Sequence, residues 1–180
     1  GALNDMSIAW KVAEQAVAQG AEIVLTNAPI AMRMGTINEL SALCNNCPVI
    51  PADATSEEDL QKLFEGAMEH FGGKIDFVLH SIGMSPNVRK GRHYTDINYK
   101  FLQTTLDVSA ISLHKTLATA KKLDALNEWG SVVALTYIAA QRIFPDYGDM
   151  ADAKSLLESI TRSFGYHYGV DKKVRINTIS

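Results

Sequence analysis

The chain has little cysteine, little proline and no excess of charge of one sign. Its 180 residues hold two cysteines and five prolines, and 17 basic side chains stand against 20 acidic ones for a net charge of −3. Two cysteines cannot staple a disulfide scaffold. A charge balance this close to neutral offers no basic surface, so no nucleic-acid partner is expected. No apolar run approaches the roughly 18 residues that a membrane-crossing helix needs, so no membrane partner is expected either. What is present suits a compact fold. Apolar residues make up 47% and charged residues 21%, which excludes a disordered or low-complexity chain. The length fits one domain over residues 1–180.

Helical and strand-like segments alternate along the chain. Ser7 to Gln19 places Ile8, Val12, Ala16 and Val17 at helical spacing before Gly20. Glu22 to Thr26 reads as a short strand, Met32 to Cys44 as a helix with Leu40 and Leu43 inward, and Pro48 to Pro51 as a second strand. Ser56 caps a helix whose Glu57 and Glu58 suit its positive end. Ile75 to His80 is a strand, Phe101 to Leu126 one long helix, and Gly130 to Thr136 a strand. Tyr147 to Tyr168 is mostly helix and Val174 to Ile179 the last strand. Strands alternating with long helices predict an α/β fold: a doubly wound parallel sheet, Rossmann-like, in a single domain. Ligands bind such sheets beyond the carboxyl ends of the strands, here Thr26 to Ala28, Asp53-Ala54, Ser81 to Met84 and Thr136 onward.

Several groups of residues at those ends can carry chemistry. Tyr147 and Lys154 are seven positions apart, about 700° of helix, which puts both on one face two turns apart. An ammonium near a phenol lowers the phenol's pKa and readies it to serve an oxygen gaining charge. A packing tyrosine and a surface lysine fit the same spacing. Gly1, Ser7 and Ile8 form a glycine loop entering a helix, suited to a phosphate or simply to an N-cap. Ser81, Ile82 and Gly83 follow a strand and let a flat ligand approach, or make a tight turn. Asp53 either accepts from an adenine amine or closes a turn. Tyr137 falls at the same sheet edge as Tyr147, where packing explains it as well as function does. Cys44-Asn-Asn-Cys47 lacks the second pair that a zinc site requires and follows a helix, unlike a redox motif at a strand-to-helix turn. No metal site is expected.

Together these segments resemble the short-chain dehydrogenase/reductase superfamily and, more closely, the bacterial NADH-dependent enoyl-[acyl-carrier-protein] reductases. The matching pieces are Gly1-x5-Ser7-Ile8-Ala9, Asp53-Ala54, His80-Ser81-Ile82-Gly83, Tyr137-x9-Tyr147-x6-Lys154 and Arg175-Ile-Asn177-x-Ile-Ser180. Tyr-x6-Lys is the discriminating one, because ordinary members of the superfamily space the pair as Tyr-x3-Lys and position 151 here is alanine.

The resemblance implies a role for each position. Gly1, Ser7 and Ile8 would take the cofactor's pyrophosphate, Asp53 and Ala54 its adenine, and Ser81, Ile82 and Gly83 its riboses. Lys154 would hold the nicotinamide ribose, and Tyr147 would hydrogen-bond a thioester carbonyl. Tyr137, Ser85, Met150 and Phe144 would meet the acyl chain. The reaction implied is reduction of the C2–C3 double bond of a trans-2-enoyl thioester on acyl carrier protein. NADH would be the cofactor; NADPH stays open, because Asn27 and Ala28 carry no charge that selects between them and Arg33 is five residues on. A cytoplasmic homotetramer is implied, built partly from the Phe101–Leu126 and Tyr147–Tyr168 helices. The resemblance also places the first strand before Gly1 and a substrate loop with a final strand after Ser180, so a longer polypeptide is expected. The alternatives are another short-chain enzyme acting on a ketone or alcohol, and a non-catalytic nucleotide-binding module.

Overall fold

The computed structural model describes residues 1–33 and 36–180. Part of the expected Met32–Cys44 helix, at Met34 and Gly35, lies outside the described residues. The rest of that segment is a 3₁₀ turn at Ala31–Arg33 and a short helix α2, Ile37–Leu43. Leu40 is buried as expected, but Leu43 is 71% exposed, because a helix of two turns has one inward row and Ile37 and Leu40 fill it.

Three strands form a parallel sheet in the order β1-β2-β3: β1 is Ile75–His80, β2 Leu126–Leu135 and β3 Arg175–Ile179. The strands expected at Glu22–Thr26 and Pro48–Pro51 reduce to one parallel bridge between Leu25 and Val49. Leu25 N donates to the Pro48 carbonyl, Ile50 N to the Leu25 carbonyl and Ala52 N to the Asn27 carbonyl, and Pro48, which has no N–H, cannot carry the ladder back towards Ile23. Between residues 22–28 and β1 lies a cavity of about 640 Å³, lined by the unpaired edge of β1 and by Val12, Leu60 and Phe64.

The helices follow from capping and periodicity. Helix α1, Ile8–Ala18, buries Ala9 and Trp10, but Ile8 at its start is 62% exposed rather than inward. Helix α3, Glu57–Phe71, starts at Ser56, whose hydroxyl accepts from Asp59 N, and stops at Gly72 with φ +65°. After α4, Pro86–Arg89, the expected long helix over Phe101–Leu126 runs unbroken from residue 99 to 122, as α5, Tyr99–Leu106, and α6, Ser112–Lys122, and stops short of Leu126. A π turn, Asp107–Ile111, joins them, and Ser112 Oγ donates to the Val108 carbonyl there. Asp124, at φ +52°, ends that stretch, so Leu126 opens β2 instead of closing a helix.

Helix α7, Asp149–Lys172, returns the chain to β3. Its buried row holds Met150, Ala153, Leu157 and Ile160, and the last three pack in one core with Leu113 and Leu117 of α6 and Val132 and Ala134 of β2. Burying rows of Leu and Ile such as these contributes about 1.5–3 kcal/mol per side chain. Lys154 sits in that row beside Ala153, where an apolar residue would be expected.

Candidate functional site

The carboxyl ends of β1 and β2 meet the start of α7. Lys154 is buried, and its Nζ donates to the Leu135 carbonyl at the end of β2, at 2.7 Å. Burial lowers its pKa below that of an ordinary lysine. Gly83 faces it: a side-chain carbon there would lie 3.8 Å from Lys154 Nζ and 3.2 Å from Met150 Cε. Tyr137 and Tyr147 stack at a tilt, with ring centroids 4.7 Å apart, and Phe144 lies 5.2 Å from Tyr137 on its other side.

Tyr147 is not on the helix. It ends a 3₁₀ turn, Pro145–Tyr147, and Gly148 follows at φ +51°, ψ −138°, a conformation open to glycine that no helix can contain. The shared helical face expected from the Tyr-x6-Lys spacing is therefore replaced by a turn packed above the start of α7. The electrostatics differ too. Burial first, and then Tyr137, push the Tyr147 phenol up from its ordinary pKa, rather than Lys154 pulling it down.

The opposite end of the site is made of small residues and backbone. A side-chain carbon at Gly1 would come within 3.3 Å of Asn27 Oδ1 and 3.6 Å of the Ser81 carbonyl. Asn27 is spent on structure: its Nδ2 donates to the Ala2 carbonyl and its Oδ1 accepts from Ala28 N. Ser7 occupies the N-cap position of α1 without capping it. Its hydroxyl turns back to accept from Leu3 N and Asn4 N, so it shapes the glycine loop and leaves the first N–H groups of α1 for another acceptor. Asp53 closes a turn, with Oδ1 accepting from Thr55 N and Oγ1. Ala54 beside it, Ser81 and Ile82 are half-buried.

Ser109 and Asp149, which sequence reading missed, hold these pieces together with Ser85 and His80, which it named. Ser109, in the π turn, accepts from Met84 N and donates to the Met84 carbonyl, pinning the loop after β1. Ser85 is 4% exposed; its hydroxyl accepts from Val88 N and donates to Asp149, a wholly buried carboxylate. His80 Nε2 lies 2.9 Å from Ser112 Oγ, and its burial first, with the Lys154 charge, lowers its pKa to about 3. Cys44 and Cys47 are free and buried beneath α2. Among the described residues no group of three or more metal-ligating side chains occurs, and no helix is long and apolar enough to cross a membrane.

A parallel sheet with a glycine loop at one end of its strand edge and a tyrosine and buried lysine at the other defines a short-chain dehydrogenase/reductase. The comparisons narrow this. The family model described as enoyl-(acyl carrier protein) reductase matches residues 1–180. The chain is 31% identical over 180 residues to enoyl-[acyl-carrier-protein] reductase [NADH] 2 of Rhizobium meliloti (strain 1021), covering all of this chain and 65% of that protein. It is 33% identical over 190 residues to the FabI reductase of Rickettsia bellii (strain RML369-C), covering 67% of that protein. Among solved structures, the FabI–NADH complex from Alistipes finegoldii superposes with a TM-score of 0.98 at 67% identity, over all of this chain and 63% of the other. The enzyme from Aquifex aeolicus VF5 gives 0.90 at 27% identity, over all of this chain and 69% of that one. The chain belongs to the enoyl-(acyl carrier protein) reductase family. It spans about two thirds of the length of these relatives.

Proposed function

We propose that the protein reduces the C2–C3 double bond of trans-2-enoyl thioesters carried by acyl carrier protein. The observation that carries this reading is a buried Lys154 anchored on the carboxyl end of β2, with a half-buried Tyr147 in the turn before the same helix, in a chain matched end to end by this family. NADH fits the opposite end. The free N–H groups of α1 and the bare backbone of Gly1 suit a pyrophosphate, and Asp53 and Ala54 would hold the adenine. NADH supplies the hydride that adds to C3.

The chain's own residues do the rest. Negative charge gathers on the thioester carbonyl oxygen as C3 gains the hydride, Tyr147 donates a hydrogen bond to that oxygen, and a proton taken up at C2, ultimately from water, completes the saturated thioester. A phenol whose pKa burial has raised stays protonated and keeps that bond available across neutral pH. Lys154 has one N–H on Leu135; its others serve the ribose hydroxyls, and its charge favours the enolate. Tyr137, Phe144 and Met150 supply an apolar wall for the acyl chain, and Ser85 sets the turn beneath it.

The domain takes one further parallel strand in the 640 Å³ cavity. Support comes from the open edge of β1 and from Thr26 Oγ1 and His80 Nδ1, two buried atoms lining the cavity that have no partner among the described residues. The protein acts as a cytoplasmic homotetramer. Exposed Tyr99 on α5 and Tyr166 and Val170 on α7 support the assembly. The buried, unbridged Cys44 and Cys47 suit a reducing compartment.

The test is NADH oxidation by full-length protein of verified mass with a crotonyl or longer 2-enoyl thioester. Turnover is expected, with β-ketoacyl thioesters left unreduced. NADH binding without turnover on any enoyl thioester overturns the reading.

A further inference from the structure

Asp149 is the most enclosed carboxylate at the site, with 0% exposure. It is the first residue of α7 and lies two residues past Tyr147. Three neutral side chains approach it as donors: Ser85 Oγ at 2.6 Å on Oδ1, Asn87 Nδ2 at 2.7 Å on Oδ2, and Thr105 Oγ1 at 3.0 Å on Oδ2, its one proton shared with the Phe101 carbonyl at 2.9 Å. Ser85 belongs to the turn after β1, Asn87 to α4 and Thr105 to α5. Asn87 carries the connection further, because its Oδ1 accepts from Asn98 N and its Nδ2 also reaches the Asn98 carbonyl at the start of α5. One carboxylate thus joins α4, α5, α7 and the loop that carries Ser81 to Ser85.

Such a network is costly unless it is complete. A carboxylate taken out of water must recover its hydration from protein donors, and here it recovers it from dipoles and from the positive start of α7. No lysine, arginine or histidine makes an ion pair with it among the described residues. Its acceptor-only chemistry is what the three donors require. An amide in its place would set an NH₂ against Asn87 Nδ2, or against the Ser85 hydroxyl that already accepts from Val88 N.

The connection to Tyr147 is Gly148. Its φ of +51° and ψ of −138° belong to a region that glycine enters without preference, so the glycine does not itself hold the turn. The turn is held from both sides: by Tyr147 N donating to the Phe144 carbonyl and the ring stacked on Tyr137, and by Asp149 anchored below. We propose that Asp149 is a positioning residue, which fixes the Tyr147 phenol over the loop after β1 by clamping the first turn of α7 to Ser85, Asn87 and Thr105. This rests on Tyr147 being the group that serves the thioester oxygen.

The test is Asp149→Asn in the full-length enzyme, with three readouts. kcat on a 2-enoyl thioester is expected to fall roughly tenfold or more, because small misplacements of a reacting group cost rates of that order. NADH affinity, read by fluorescence titration, is expected to fall much less than kcat, by roughly threefold or less, since the pyrophosphate contacts at Gly1 and α1 lie outside the network even though the ribose loop touches it. The alkaline titration of Tyr147, read by absorbance against a Tyr147→Phe background, is expected to move down towards the ordinary tyrosine value as the ring gains solvent. Thr105→Val is the milder companion, with roughly a threefold fall in kcat expected, and it carries the test if Asp149→Asn does not fold. Unchanged kcat and an unchanged Tyr147 titration, or a fall in kcat matched by an equal loss of NADH affinity, overturn the positioning role. Wild-type protein without turnover overturns the functional reading alone, and the Tyr147 titration then still decides whether Asp149 holds the phenol.

Discussion

The two ends of the site are built from different materials. At the Tyr147 end, side chains do the work: Lys154 on Leu135, Ser109 on Met84, and Asp149 on three donors, all within well-packed elements. At the Gly1 end, backbone does it: a glycine against Asn27 and Ser81, and α1 N–H groups left free because Ser7 turns away. Chemistry that discriminates a transition state needs groups fixed to within a fraction of an ångström, which buried side-chain networks provide. Holding a pyrophosphate needs several modest donors with room to approach, which bare backbone provides. Substitutions at the first end should therefore act on turnover, and at the second on affinity.

The sharpest way to break that contrast is Tyr147→Phe. Losing the donor to the carbonyl oxygen is expected to lower kcat roughly 10²–10³-fold with NADH affinity unchanged, in steady-state and binding measurements. Equal losses in both would erase the distinction between the two ends. Lys154→Ala is next, since on the proposed reading Lys154 serves the ribose hydroxyls and its charge favours the enolate. NADH affinity should weaken roughly 10–100-fold, the scale of one lost charged hydrogen bond. Burial lowers the Lys154 pKa, so NADH affinity of the wild type should also fall with rising pH before the ordinary lysine value of 10.5 is reached. A binding titration across alkaline pH reads this directly.

A smaller effect concerns stability rather than turnover. His80 has a folded pKa of about 3 against an ordinary 6.5. Between those values the unfolded chain binds a proton that the folded chain refuses, so stability declines as pH falls from about 6.5 towards 3. Urea unfolding at pH 7 and pH 4.5 should show this decline in the wild type and a shallower one in His80→Gln. The smallest effect belongs to the Gly1 end. Ser7→Ala removes the acceptor for Leu3 N and Asn4 N and loosens the loop by about 1 kcal/mol. That corresponds to roughly a fivefold weaker NADH affinity with kcat intact; a larger fall in kcat than in affinity would contradict the division.

Local patterns were legible wherever local forces decide. β1 appears at Ile75–His80 as its continuous apolar run implies, and α3 appears between a serine cap and a glycine stop. Tyr137, Tyr147 and Lys154 were found by type and spacing, and the structure gathers Tyr137 with Tyr147, and Lys154 with Gly83 and Met150. The π turn was invisible, because one wide turn hardly disturbs the apolar spacing of Phe101 to Lys122. Asp149, Asn87 and Ser109 were passed over for a related reason. A polar residue in a helical stretch reads as solvated, and only partners 25 to 64 positions away show otherwise.

Composition and periodicity by themselves determined an α/β chain, because alternation and caps act over a few residues; the family came from the resemblance of its motifs taken together. Where the phenol stands was decided only by the tertiary structure. Gly148 leaves the turn before α7 free to swing, and its direction is set by a carboxylate whose donors come from other parts of the chain.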